Sequence, residues 1–116
     1  MRLLFSILAI LLATGTARAE PPEILAVELV DRTVHVTLRH ADTGWDHYAD
    51  LWRVFDADGT RLAERILLHP HETEQPFTRS TDIKIPADAA VLTVVAWCTD
   101  GDRSEPFAVS IAEIAP

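Results

Sequence analysis

Side chains able to hold a metal gather in three short stretches of this chain. His40 and His47 lie in His40-Ala41-Asp42-Thr43-Gly44-Trp45-Asp46-His47-Tyr48, His69 and His71 open His69-Pro70-His71-Glu72-Thr73-Glu74-Gln75-Pro76-Phe77, and the single cysteine, Cys98, ends a late apolar run. Neutral imidazole, thiolate and carboxylate are the usual ligands of zinc, iron and copper, and a site needs three or more of them on rigid supports. Helical His-Glu-x-x-His and paired Cys-x-x-Cys signatures are absent, so spacing alone does not select the metal. A competing reading has His69 and His71 bracketing a proline in a solvated loop and Cys98 acting as a small buried apolar residue. In that reading Trp45 and Tyr48 plug the end of the core, and Phe77 enters it.

Other chemistries have less support. Ser80, Ser104 and Ser110 lack a glycine-flanked nucleophile elbow, and there is no glycine-rich phosphate loop. The pairs Glu72 with Glu74 and Asp100 with Asp102 say little in a chain with 18 acidic residues. The formal charge of −8 argues against nucleic acid and anionic lipid as partners, since both would be repelled.

The elements that must position these ligands follow from the apolar pattern. Met1-Arg2, the apolar run from Leu3 to Ala13 and Ala17-Arg18-Ala19 fit a cleaved secretory signal over residues 1–19, which makes the protein periplasmic or secreted. The run is shorter than the ~20 residues of a membrane span, so stable membrane insertion is not expected. Residues 20–116 then form one small domain. With a single cysteine there is no internal disulfide, so Cys98 is expected to be buried, ligated or paired with another chain.

Runs over 24–30, 34–40, 50–55, 60–68, 81–85, 91–98 and 106–114 read as strands, the fourth with a short helix as its alternative. Val34, Val36 and Leu38 alternate with His35, Thr37 and Arg39, which gives His40 core-facing parity and turns His35 outward. Asp56-Ala57-Asp58-Gly59 reads as a turn. Short strands separated by turns predict an all-β, immunoglobulin- or fibronectin III-like sandwich. If the strands alternate in direction, the loops at 41–49, 69–79 and 99–105 share one pole.

A strand ending in His40, then Thr43, His47-Tyr48, Trp52, an Ala-Asp-Gly-Thr turn at 57–60 and a late Ala96-Trp97-Cys98 resembles the superoxide reductase-like (desulfoferrodoxin) domain over residues 34–101. That family is an immunoglobulin-like sandwich whose ferrous iron is held by four histidines and an axial cysteine. The resemblance carries His40 and His47 onto the family's first-loop histidines, with spacing one residue longer here, and Cys98 onto its cysteine. Thr99-Asp100-Gly101 stands where the family has a histidine after that cysteine, and no histidine precedes Glu28 to replace the family's N-terminal ligand. Either the iron site is lost, or His69, His71 or Asp100 completes a different one.

The chain is also similar to a group of small exported bacterial proteins sharing Trp-Asp-His-Tyr-Ala (45–49 here) and His-Pro-His-x-x-Glu-Gln-Pro-Phe-Thr-Arg-Ser (69–80), a likeness that implies no chemistry by itself. The sequence therefore leaves two functions open. One is a transition-metal site for Fe, Cu or Zn built from His40, His47, His69, His71 and Cys98, with superoxide reductase-like redox chemistry as what the resemblance implies for iron. The other is a non-catalytic module whose pole binds a protein or peptide without metal.

Overall fold

The computed structural model describes residues 20–111. The expected signal segment and the last part of the expected seventh strand lie outside them. Seven strands form: β1 (Glu23–Val30), β2 (Thr33–Arg39), β3 (Ala49–Phe55), β4 (Arg61–Ile66), β5 (Phe77–Asp82), β6 (Val91–Cys98) and β7 (Phe107–Ser110). They make two antiparallel sheets, ordered β1-β2-β5 and β4-β3-β6-β7, which pack as a sandwich. Among the described residues no helix is long and apolar enough to cross a membrane.

Period-two patterning builds the core. Val34, Val36 and Leu38 on β2 share one buried core with Leu92, Val94 and Ala96 on β6 and with Trp52 and Val54 on β3. The same parity carries past the strand ends. His40 continues the inward face of β2 and Cys98 that of β6, so each sheet delivers one polar group into the same end of the sandwich. The strand alternative for the fourth run is the one realised.

The fifth strand differs from expectation. It runs from Phe77 to Asp82 rather than over 81–85, paired in register with β2 from Leu38↔Phe77 to Thr33↔Asp82. Thr78, Arg79, Ser80 and Thr81 are polar because β5 is the outer strand of its sheet and only Phe77 reaches the core. Ile83 is buried after the strand ends, donating its backbone N–H to the Arg32 carbonyl. Trp45 also departs from the plug reading, since it is 68% exposed and meets Tyr48 edge-on.

Candidate metal centre

The loops after β2, β4 and β6 meet at one pole. Thr99 clips the first to the third: its N–H donates to the Tyr48 carbonyl at 3.0 Å, while its hydroxyl donates to the Asp46 carbonyl at 3.2 Å and accepts from Tyr48 N at 3.3 Å. Within the first loop, Gly44 has φ +131°, a conformation that L side chains rarely adopt. The reversal it permits is closed by Thr43 N to the His47 carbonyl (2.9 Å) and His47 N to the Gly44 carbonyl (3.2 Å), which swings His47 back over the core.

Asp42 organises the buried side of this pole. Its Oδ1 accepts the Ala49 N–H at 2.9 Å and lies 2.5 Å from His40 Nδ1, and its Oδ2 accepts the His71 N–H at 2.7 Å. A carboxylate oxygen facing Nδ1 places the imidazole proton there, so His40 Nε2 keeps its lone pair. That Nε2 is buried without a hydrogen-bond partner among the described residues. His47 Nε2 is also buried and unpartnered; it lies 3.3 Å from Asp100 Oδ2 but is not aligned for a hydrogen bond. The two rings are 4.6 Å apart, tilted by 51°.

Cys98 completes the group. One ligand atom each from His40, His47 and Cys98 lie within 4.8 Å of one another, and Cys98 also groups with Asp100 and Asp102. The Cys98 thiol donates to Asp100 Oδ1 at 2.6 Å. Burial, then that hydrogen bond, push the thiol up to about 12. Asp100 is held below the usual carboxylate range, chiefly by accepting from the Cys98 thiol and then from the Asp102 N–H.

The histidines of the second loop lie elsewhere at the pole. His71 stacks on Phe77 at 3.9 Å, and its Nε2 accepts from the Arg79 guanidinium at 2.8 Å. Burial, then Arg79, hold its pKa below the usual histidine value. Exposed His69 sits 4.5 Å from the His71 ring with Nδ1 turned to the Pro70 carbonyl. Gln75 joins this loop to the first, its Oε1 accepting the His40 N–H (3.0 Å) and its Nε2 donating to the His71 carbonyl (2.8 Å). The structure thus brings His40, His47 and Cys98 together and sets His69 and His71 beyond Asp42.

Sequence reasoning missed Asp42, Gln75 and Thr99. An acidic residue two positions after a candidate ligand histidine was the available signal for Asp42. Gln75 and Thr99 act through loop packing, which leaves no periodic mark.

Comparison with known proteins supports the fold. No family model matches the chain. A superoxide reductase (1Fe-SOR) from Giardia intestinalis superposes with a TM-score of 0.55 at 15% identity, covering 76% of this chain and 95% of that one. A protein of Halomicrobium mukohataei, provisionally named a lipoprotein, is 49% identical over 59 residues, which are 51% of this chain and 29% of that protein. The match thus spans less than a third of that relative's length.

Proposed function

We propose that this chain is an exported β-sandwich protein that binds a transition metal through His40 Nε2, His47 Nε2 and Cys98 Sγ. The observation that carries this reading is the pair of buried imidazole Nε2 atoms without partners beside the only thiol. An unsatisfied buried polar atom costs about 1–3 kcal/mol. Two of them on histidines grouped with one cysteine are what a bound ion would relieve. The His40 Nδ1 contact with Asp42 is the arrangement that fixes the tautomer and orientation of a metal-binding histidine. A nitrogen and sulfur donor set suits Zn(II), Cu(I) or Fe(II). In this reading Asp42 orients His40, the His71 N–H braces Asp42, Gln75 joins the His40 and His71 backbones, and His69 stands at the rim. Export is supported by the signal-like start of the sequence and by the lipoprotein name of the Halomicrobium relative.

The five-donor iron shell that the resemblance implies does not fit: among the described residues only two histidines join Cys98. Superoxide reduction is therefore a second reading, supported by the fold likeness alone. Iron-loaded protein that leaves superoxide decay at the rate of free iron would dismiss it.

The test of metal binding is elemental analysis of untagged protein purified from the periplasm. One equivalent of metal, lost in His47→Ala and in Cys98→Ser, is expected. Metal-free protein that takes up none on titration would overturn the reading and favour a protein-binding module.

A further inference from the structure

We infer that Asp100 is the fourth ligand, so that two imidazoles, one thiolate and one carboxylate close a tetrahedral shell. This rests on the metal-binding reading and replaces the five-donor iron shell with a different coordination chemistry. Three observations lead to it.

Asp100 already touches two of the three other donors. Its Oδ2 is 3.3 Å from His47 Nε2 and its Oδ1 is 2.6 Å from Cys98 Sγ. Around a zinc-like ion with bonds of about 2.0–2.3 Å, neighbouring ligand atoms are roughly 3.3–3.7 Å apart. The Asp100–His47 separation is therefore that of a coordination edge, and its misalignment as a hydrogen bond fits two donors pointing at a shared third centre.

The carboxylate is also free to move inward. Its side chain is 39% exposed. Besides the thiol, it accepts the Asp102 N–H, at 3.1 Å on Oδ1. The turn beneath it is fixed by Gly101 N to the Cys98 carbonyl (2.9 Å) and Cys98 N to the Asp102 carbonyl (3.0 Å). A divalent ion displaces the Cys98 proton to solvent, which breaks the S–H···O hydrogen bond and leaves both thiolate and carboxylate as donors, with no change of oxidation state.

The Asp42 oxygens and His71 Nε2 are held by other partners. Both Asp42 oxygens hold protein N–H groups, and His71 Nε2 accepts Arg79. His40 meanwhile presents a fully buried side chain whose Nε2 has no partner among the described residues. A closed four-ligand shell of this kind holds metal without an open position for substrate. The ligand class is thus Zn(II) or Co(II), and the site's task is retention.

Cobalt titration of the full chain, followed by visible and near-ultraviolet absorption, tests this. Expected are intense d–d bands of four-coordinate Co(II) with a thiolate-to-cobalt charge-transfer band. Asp100→Ala should weaken the d–d bands as water raises the coordination number and should weaken affinity by at least about tenfold, judging from the 10–100-fold typical of lost outer partners. Glu105→Ala, which removes an exposed carboxylate outside both ligand groups, should change neither. Weak d–d bands in the parent protein, or an Asp100→Ala spectrum and affinity equal to the parent's, would overturn Asp100 as ligand while leaving the metal site standing. No cobalt uptake by the parent would overturn both.

Discussion

His40 and Asp42 form a buried pair, Nδ1 to Oδ1 at 2.5 Å, with both side chains fully excluded from solvent. The same carboxylate accepts the backbone N–H groups of Ala49 and His71, so one residue ties the end of β2, the start of β3 and the β4–β5 loop together. Asp42→Ala strands three buried N–H donors, each worth about 1–3 kcal/mol when unsatisfied, and is expected to destabilise the fold by at least ~3 kcal/mol in urea unfolding. Asp42→Asn keeps the shape and one acceptor oxygen. It is expected to fold, with metal affinity down about 10–100-fold because His40 loses its anchor. Unchanged affinity would remove Asp42 from the account.

Two tryptophans make a matched contrast. Trp52 is fully buried on β3 between β4 and β6, whereas Trp45 is 68% exposed at the pole. Trp52→Ala should cost about 3–5 kcal/mol. Trp45→Ala should cost no more than ~0.5 kcal/mol. Comparable losses at the two positions would contradict the described packing.

His71 sets a pH dependence whose sign is fixed. Its folded pKa lies below the ordinary 6.5, first because of burial and then because Arg79 points at it. The unfolded chain therefore binds the proton more readily than the folded one, so this contribution is present above pH 6.5 and is lost as pH falls below it. Urea unfolding between pH 8 and 5 should show stability declining on the acid side. A His71→Gln variant should show a shallower decline, and an equal one would place the dependence elsewhere.

Cys98 should be slow to react in metal-free protein. With its thiol pushed up to about 12, almost no thiolate exists near neutrality. Alkylation by iodoacetamide at pH 8 should be far slower than in urea. Asp100→Ala, which removes the acceptor of the thiol hydrogen bond, should speed it. Rapid alkylation of the folded parent protein would contradict the burial of this group.

Much of this architecture was legible beforehand. Alternation through Val34, Val36 and Leu38 implied that His40 faces inward, the apolar run from Val91 put Cys98 at a strand end, and alternating strand direction implied a shared pole. What escaped was carried by polar residues with no period to read. β5 hid behind Thr78 to Thr81 because an outer strand need bury only one anchor, here Phe77. The separate place of His71 depends on Arg79 and Phe77, neighbours that only the β2–β5 register supplies. Asp42 looked like one more acid among 18 until three donors were found on it.

The most direct measurement is anomalous diffraction at the zinc edge from crystals of the protein grown with one equivalent of zinc. The account predicts one strong peak bonded to His40 Nε2, His47 Nε2 and Cys98 Sγ, with Asp100 at the fourth position. A peak held only by surface carboxylates, or none at this pole, would contradict it.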